Sequence, residues 1–199
     1  FLEYVLDGLV IAEIDEIILS VGYRANVIQE HFGNTFKKIP IRYAIESEPL
    51  GTGGAILNAL EELNNNPVLV LNGDTILNLN YRNLLEWYQE SPELIALVLR
   101  YAPDVERYSS VEVSGERVTK FVSKGKIGSG LINGGIYILQ PELFKQLNVS
   151  GKFSFETDVL HPYCTKLSPK AFISDAYFID IGIPEDYDRA QHELPLIRD

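Results

Sequence analysis

Helix-like and strand-like segments alternate along the first part of this chain, and that alternation constrains its fold more than any other feature. Apolar residues recur at helical spacing within residues 1–13, and the strand-like segments that follow are short and almost wholly apolar. Strands are predicted at Glu16–Val21, Ile39–Ser47 and Val68–Leu71, and helices at residues 1–13, Asn26–Phe32 and Gly53–Leu63. Uniformly apolar strands are typical of a parallel sheet that helices cover on both faces. The chain is therefore predicted to be an α/β protein.

From Leu94 onward, strand-like segments follow one another more closely. Strands are predicted at Leu94–Tyr101, Ser110–Val113, Val118–Val122, Leu131–Leu139, Lys170–Ser174 and Tyr177–Ile181, and helices at Pro141–Leu147, Phe155–Cys164 and Pro184–His192. The stretch Ser114-Gly115-Glu116 predicts a tight turn between two of these strands. Because no repeat or low-complexity linker separates the two parts, the 199 residues are predicted to form one domain.

Composition excludes two classes of partner. The chain carries 17 Lys+Arg against 28 Asp+Glu, a net charge of −11, and no basic run that could follow a phosphate backbone, so no nucleic-acid partner is expected. Its longest apolar runs have only the length of a strand, so no membrane partner is expected either. The single cysteine, Cys164, and the absence of a leader-like start favour a reducing cytoplasm.

The first candidate site is a glycine-rich segment at the end of a predicted strand. Gly51, Gly53 and Gly54 would let a flat or anionic ligand approach the main chain, and free N–H groups at the following helix start could bind it. Thr52 is a plausible N-cap of that helix, and Glu46 would lie at the strand tip. An ordinary loop between a strand and a helix is the alternative.

Two aspartates follow or end apolar strands. Asp74 lies in Asn72-Gly73-Asp74-Thr75, and Asp180 lies within the apolar Tyr177–Ile181 segment. Because Mg²⁺ is usually held by one or two carboxylates together with phosphate oxygens and water, the two aspartates could share a magnesium site. The alternatives are that Asp74 only forms a turn and that Asp180 pairs with an arginine or the backbone.

A third candidate site is Asn133-Gly134-Gly135, which interrupts an apolar strand. Small residues permit close approach of a ligand, and the asparagine amide offers both a donor and an acceptor to a hydroxyl group. A β-bulge is the alternative. His31, His161 and His192 show no metal-ligand spacing.

Five motifs occur together in one order along the chain. They read E-S-E-P-L-G-T-G-G-A, L-N-G-D-T, L-I-N-G-G-I-Y, F-S-F-E and Y-F-I-D-I-G-I-P-E-D-Y. In this combination the chain resembles the sugar-phosphate nucleotidyltransferases, and within them most closely the D-glycero-α-D-manno-heptose 1-phosphate guanylyltransferases. The resemblance implies a Rossmann-like, three-layer fold with a mixed, mostly parallel central sheet. It also implies a nucleotide-binding half over residues 1–93 and a sugar-phosphate-binding half over residues 94–199.

The same resemblance implies a reaction. A sugar 1-phosphate attacks the α-phosphorus of a nucleoside triphosphate, with Mg²⁺ as cofactor, and yields a nucleotide sugar and pyrophosphate. The implied metal ligands are Asp74 and Asp180, and the implied catalytic residues are these two and Lys124, near the sugar phosphate. The implied nucleotide-binding residues are Glu46, Pro49, Gly51, Thr52, Asn72 and Gly73, and the implied sugar-binding residues are Tyr108, Asn133, Gly134 and Glu156.

The chain departs from the family pattern in two respects. The G-G-x-G-T-R loop that cradles the triphosphate and the P-K-P lysine are absent, and Phe1 matches the helix that follows them. The first strand of the family is therefore expected to be missing from this sequence and present in a longer natural protein. In the sugar pocket, Ser123 stands where a family carboxylate is frequent and Ser109 where glycine is usual, which leaves the identity of the sugar open.

The choice of base follows from the chemistry of Glu46. A carboxylate only accepts hydrogen bonds and therefore suits the adjacent N1–H and amino donors of guanine better than adenine or uracil. This argument favours GTP, and the resemblance implies the heptose phosphate, so the two together are the leading prediction. The alternatives are a mannose-1-phosphate guanylyltransferase, a uridylyltransferase relative and a non-catalytic, nucleotide-sugar-binding regulatory protein. Self-association through the exposed aromatic stretch Trp87-Tyr88 and the later strands is a further expectation.

Overall fold

The computed structural model describes residues 1–61, 63, 67–125 and 127–197. Its helices are α1 (Leu2–Ile11), α2 (Ala25–Phe32), α3 (Gly51–Leu60), α4 (Tyr81–Glu90), α5 (Glu142–Leu147), α6 (His161–Leu167) and α7 (Pro184–Glu193). Its strands are β1 (Ile17–Val21), β2 (Thr35–Phe36), β3 (Ile39–Ile45), β4 (Val68–Leu71), β5 (Thr75–Leu77), β6 (Ile95–Ala102), β7 (Ser110–Ser114), β8 (Arg117–Val122), β9 (Gly130–Leu139), β10 (Lys170–Ser174) and β11 (Phe178–Asp180). A π-helical turn, Phe155–Leu160, precedes α6, and a 3₁₀ turn, Leu194–Leu196, follows α7.

The strands form three sheets. The largest has six strands in the order β4-β9-β6-β10-β8-β7, and β7 also pairs with β9, so that five of the strands close into a ring. The second has the order β1-β3-β2, and β5 pairs with β11 in a separate ribbon. The predicted α/β class and the mixed sheet are therefore confirmed.

The predicted majority of parallel pairs is wrong. Within residues 1–61 and 67–125 and 127–197, only β1 with β3 and β6 with β10 run parallel, whereas β9 is antiparallel to β4, β6 and β7. Strands buried on both faces are apolar whichever way their neighbours run, so their composition carried no information about direction.

Both faces of β6, in the middle of the large sheet, are buried. Along β6, Leu97 and Leu99 pack in one apolar cluster, while Ala96 and Val98 pack in another on the opposite side. Helices α5 and α6 contribute to the first cluster, and α1 and α4 contribute to the second. This three-layer arrangement explains why β6 has no polar residue among its first five positions.

Helix α4 and the short strands β2 and β5 were not predicted. Asn80 caps α4 by accepting a hydrogen bond from the N–H of Asn83, and Tyr81, Leu84 and Tyr88 form its buried face at helical spacing. These signals were present in the sequence. Strand β5 had no local signal, because its three residues are stabilised by β11, a partner from the far end of the chain that lies within the predicted strand Tyr177–Ile181.

The expected exposure of the aromatic stretch Trp87-Tyr88 is wrong, while self-association itself stays a prediction. Tyr88 is buried, and its hydroxyl donates to the carbonyl of Glu93 over 2.6 Å. Trp87 is half-buried and packs edge-to-face on Phe172, with ring centroids 5.2 Å apart. Both aromatic residues are therefore used to attach α4 to the sheet.

The start of α3 also differs from its prediction. The helix begins at Gly51 rather than Gly53 and ends at Leu60, so Thr52 lies in the first turn and is not the N-cap. The Thr52 hydroxyl instead accepts a hydrogen bond from the N–H of Phe155 over 2.9 Å. Thr52 thus ties α3 to the π-helical turn.

Several strands have a strand partner on only one side in the described ranges, β1 and β4 among them. There, β1 pairs with β3 alone and β4 pairs with β9 alone. The expected additional strand before Phe1 stays a prediction. No helix of the described residues is long and apolar enough to cross a membrane.

A buried carboxylate attaches the segment between β6 and β7 to α7. Asp186 is only 4 % exposed, and its two oxygens lie 2.7 Å from Arg107 and 3.0 Å from Arg189. The hydrogen bond to Asp186 raises the pKa of Arg107, which keeps the guanidinium charged. Arg107 adjoins Tyr108, so this contact also fixes where Tyr108 lies.

We expect Asp186→Asn to lower the free energy of unfolding by about 1–3 kcal/mol, because it weakens the hydrogen bond from Arg107 and the ion pair with Arg189 at a buried group, while both arginines can still reach solvent. The midpoint of urea denaturation measures this change. Asp188→Asn, at an exposed position of the same helix, is the matched control and should change stability by less than about 0.5 kcal/mol. Equal midpoints for the two variants would contradict this account.

Gly54 packs against another part of the chain. A Cβ atom at Gly54 would lie 2.5 Å from the carbonyl oxygen of Gly151, which belongs to the backbone and cannot rotate away. We expect Gly54→Ala to destabilise the protein by about 1–3 kcal/mol, although alanine ordinarily favours a helix over glycine. Gly22→Ala is the control, since its nearest neighbour would be the Cβ of Glu46 at 3.7 Å. An increase in the denaturation midpoint of Gly54→Ala would refute the packing role.

Candidate active site

A cavity of about 140 Å³ brings together predicted residues from both parts of the chain. Six of them line it: Asn72, Tyr108, Lys124, Asn133, Glu156 and Asp180. The remaining lining residues are Thr75, Ser109, Phe121, Gly135, His161 and Phe178. A larger cavity of about 300 Å³ lies between α1, β5 and the 3₁₀ turn and includes none of the predicted residues. The smaller cavity is therefore the candidate active site.

The ribbon of β5 and β11 places the two predicted metal ligands side by side. Asp180 is the last residue of β11 and is opposite Thr75, the residue after Asp74. The carbonyl of Asp74 accepts a hydrogen bond from the N–H of Ile181 over 2.9 Å. Buried Ile76, Leu77 and Ile179 anchor the ribbon to the core. The predicted proximity of Asp74 and Asp180 thus arises from this separate ribbon and not from neighbouring strands of a parallel sheet.

The donor set of the two aspartates fits a divalent cation. The N–H of Gly182 donates to Oδ1 of Asp180 over 2.7 Å, and the hydroxyl of Thr75 donates to Oδ1 of Asp74 over 3.2 Å. Neither carboxylate forms an ion pair with a cation in the described part of the chain. The described residues also contain no group of three or more potential ligands among His, Cys, Asp and Glu. Two carboxylates completed by phosphate oxygens and water are a magnesium-like set.

Asn133 and Glu156 meet in a hydrogen-bonded network. The Asn133 amide donates to Oε1 of Glu156 over 2.6 Å and to the Tyr137 hydroxyl over 2.7 Å. Burial and the negative charge of Glu156 raise the pKa of Tyr137, so its phenol stays protonated and donates to Oε1 of Glu156 over 3.4 Å. The network fixes both side chains at the cavity wall.

A β-bulge in β9 positions Asn133. The register with β6 shifts between the pairs Leu97–Tyr137 and Leu99–Asn133, so the bulge proposed as the alternative for this segment is present. Gly135 adopts φ +71°, and its N–H donates to Oδ1 of Asn133 over 3.1 Å. Gly134 is buried, with Val98 O and Leu77 Cδ2 within 3.2 Å of where its Cβ would be. Among the described residues, Gly134 does not line the cavity.

The glycine-rich segment is covered by the chain itself. The carbonyl of Phe153 accepts hydrogen bonds from the N–H groups of Gly53 and Gly54 over 3.0 and 3.3 Å. A Cβ at Gly53 would lie 2.2 Å from the Phe153 ring, and one at Gly51 would lie 2.6 Å from the Phe153 oxygen. The prediction that these N–H groups are free to bind an anion is wrong for Gly53 and Gly54, because Phe153 occupies them.

The remaining predicted nucleotide-binding residues lie outside the described lining of the cavity. Glu46 follows β3, and its carboxylate accepts hydrogen bonds from the N–H of Leu50 over 2.9 Å and from the Ser20 hydroxyl over 3.3 Å. Pro49, Gly51, Thr52 and Gly73 are exposed. Asn72 links this side to the cavity, since its N–H donates to the carbonyl of Gly135 over 2.9 Å.

Lys124 and an aromatic pair form another wall of the cavity. Lys124 is exposed, follows β8 and makes no ion pair within the ranges that the structure describes. Phe121, three residues earlier, stacks on His161 with ring centroids 4.8 Å apart and an angle of 18° between the planes. Sequence reasoning missed this pair, because only the structure brings β8 against the start of α6.

Comparison with known proteins agrees with this geometry. D-glycero-alpha-D-manno-heptose 1-phosphate guanylyltransferase from Aneurinibacillus thermoaerophilus is 43% identical over 194 residues, which cover 98% of this chain and 84% of that protein. The Campylobacter jejuni protein of the same name is 43% identical over 188 residues, 94% of this chain and 82% of that protein.

A solved structure is also similar. HddC from Yersinia pseudotuberculosis, complexed with GMP-PN, superposes with a TM-score of 0.85 at 38% sequence identity and covers 98% of this chain and 85% of that one. A family model described as "Nucleotidyl transferase" matches residues 1–195. This chain therefore belongs to the nucleotidyl transferase family.

Proposed function

We propose that this chain transfers a guanylyl group from GTP to D-glycero-α-D-manno-heptose 1-phosphate and releases pyrophosphate. The observation that carries the proposal is the single cavity in which Asp180, Lys124 and the Asn133–Glu156 pair meet. These groups supply, in one place, a cation ligand, a positive charge for a phosphate and hydrogen-bonding groups for a sugar. The names of the similar guanylyltransferases support the choice of both substrates.

Asp74 and Asp180 are the residues that would hold Mg²⁺. When bound, such an ion neutralises charge that develops on the phosphates and orients them for attack. The hydrogen bonds from Thr75 and Gly182 each occupy an Oδ1 atom, and thereby orient the carboxylates. In our proposal the aspartates contribute by position and charge and do not transfer a proton.

Glu156 and Asn133 bind the hydroxyl groups of the sugar in this mechanism. Oε1 of Glu156 accepts from Asn133 and Tyr137, and within the described residues Oε2 has no hydrogen bond. An ionised carboxylate oxygen is a strong acceptor for a hydroxyl donor. Lys124 supplies the positive charge for the sugar phosphate.

No general base is needed for this reaction. The phosphate of a sugar 1-phosphate is already an anion and therefore a competent nucleophile. The residues need only align it with the α-phosphorus and stabilise charge on the phosphate oxygens. We place the reaction in the reducing cytoplasm, where the buried thiol of Cys164 remains free.

We expect Asp74→Asn and Asp180→Asn each to lower kcat by about a hundredfold or more, because each removes a carboxylate that would hold Mg²⁺ beside the reacting phosphates. Pyrophosphate release with GTP, Mg²⁺ and the heptose phosphate measures kcat for the natural protein that carries this chain. Titration calorimetry with Mn²⁺ measures metal binding without turnover.

Asp175→Asn, at an exposed position before β11, is the matched control and should change kcat less than twofold. Retained turnover in Asp74→Asn and Asp180→Asn would exclude the metal assignment. Binding of the GDP-sugar by the wild type without pyrophosphate release would favour the regulatory, non-catalytic alternative. A higher kcat/KM with mannose 1-phosphate or with UTP would favour the corresponding relatives.

Glu46 is the proposed guanine-recognition residue. Its carboxylate is held by Leu50 and Ser20 at the end of β3, and each oxygen retains a further lone pair for the N1–H and amino groups of guanine. Inosine triphosphate retains the N1–H but lacks the amino group. We therefore expect the wild type to prefer GTP over inosine triphosphate by about tenfold or more in kcat/KM.

We expect this preference to fall below about threefold in Glu46→Gln, because the new amide presents a donor to the guanine donors. Ser20→Ala keeps the carboxylate and removes only its hydroxyl neighbour, so the preference should persist in that control. The ratio of the kcat/KM values for the two nucleotides, measured on one variant, is insensitive to a general loss of activity. An unchanged ratio in Glu46→Gln would mean that another group reads the base.

A further inference from the structure

His161 lines the active-site cavity but has no role in the mechanism above. Its ring is half-buried and stacked on Phe121. Within the described residues, neither ring nitrogen of His161 has a hydrogen-bond partner, whereas His31 contacts Glu3 and His192 contacts the carbonyl of Asp188, both at 2.9 Å. His161 is therefore a histidine whose hydrogen-bonding capacity is unused in a cavity.

Packing alone does not explain a histidine at this position. Stacking on Phe121 uses the faces of the imidazole, and a phenyl ring would stack equally well. The nitrogens lie on the edge of the ring, where they donate or accept in the ring plane. The polar edge is thus available to a ligand, while Phe121 limits the orientation of the ring.

The π-helical turn explains why His161 lies beside Glu156. In this turn the N–H of His161 donates to the carbonyl of Glu156, which aligns residues five apart along one face. An α-helical turn would instead align Glu156 with Leu160, whose side chain is fully buried. Pro162 follows His161 and has no N–H, so it cannot donate the α-helical hydrogen bond to the carbonyl four residues earlier. Both polar side chains consequently face the same cavity.

The neighbours of His161 indicate the ligand group that it contacts. A phosphate beside Glu156 would be repelled by the carboxylate, whereas a hydroxyl group can hydrogen-bond to both side chains. The reacting phosphate belongs near Asp180, on the β11 ribbon. A sugar that extends from there reaches Glu156 and His161 through its hydroxyl groups.

We propose that His161 is an additional sugar-binding residue, which hydrogen-bonds a hydroxyl group of the sugar phosphate beside Glu156 and contributes to the selection of the sugar. The inference rests on the proposed substrate class. It assigns a specificity role to the stacked pair of Phe121 and His161, in a cavity that is also lined by Ser109, one of the positions that depart from the family pattern.

The test uses equilibrium binding, which does not depend on turnover. Titration calorimetry measures Kd for GDP-D-glycero-α-D-manno-heptose with the natural protein that carries this chain. His161→Phe retains the stack and removes both nitrogens, so Kd should rise about tenfold. His161→Asn restores an amide donor and acceptor and should recover part of that loss. His192→Phe, on α7, is the matched control and should leave Kd unchanged.

Specificity gives a second measurement. The ligands compared are the parent sugar and analogues that each lack one of its hydroxyl groups. We expect one analogue to bind the wild type about tenfold more weakly than the parent sugar does. The same analogue should bind His161→Phe no more weakly than the parent sugar does. The proposal would be overturned if His161→Phe and the wild type had equal Kd values. It would also be overturned if every analogue lost the same affinity in both proteins. A wild type that does not bind the GDP-sugar would overturn it as well.

These results separate the inference from the proposed reaction. If the wild type binds the GDP-sugar but releases no pyrophosphate, the proposed enzymatic function fails, and the Kd values still decide the role of His161. If turnover occurs and His161→Phe binds normally, only the role of His161 fails. Unchanged denaturation midpoints for the variants show that the comparison concerns folded proteins.

Discussion

Burial of β6 and β9 on both faces is the constraint on which the rest of the structure depends. Helices from either side cover this pair, so its middle has no place for a charged group. The polar groups of the site are consequently found at strand ends and on either side of the bulge in β9, where Asn133 pairs with Leu99 and Tyr137 with Leu97. The bulge therefore reconciles an apolar strand with a hydrogen-bonding amide.

Sequence predicted the helices and strands that carry long apolar patterns. The motifs also singled out Asp180, Asn133 and Glu156, which the structure places in the lining of one cavity. The sequence did not predict strand direction, because a strand buried on both faces has the same apolar composition in a parallel and in an antiparallel pair. It also missed β5 and its pairing with β11, because a three-residue strand depends on a distant partner. The stacked pair of Phe121 and His161 was invisible for the same reason: neither residue has a local signal for the other.

The glycine-rich segment shows where a motif is ambiguous. A glycine permits close approach of another group, but the sequence does not show whether that group is a ligand or another part of the chain. At Gly53 and Gly54 the occupant is the Phe153 region of the same chain, which also pairs with their N–H groups. The link from Thr52 to Phe155 continues this contact into the π-helical turn. The glycine-rich segment, which holds the proposed nucleotide-binding residues Gly51 and Thr52, is thus in direct contact with the turn that carries Glu156.

The closed ring of β9, β6, β10, β8 and β7 limits how this site can change during evolution. The first residues of β9 pair with β6 on one side and with β7 on the other. A shift in register would break both ladders and would exchange the inward and outward faces of the strand. Divergence in sugar preference within this scaffold is therefore channelled into side-chain replacement at fixed backbone positions, and insertions are confined to the connecting loops.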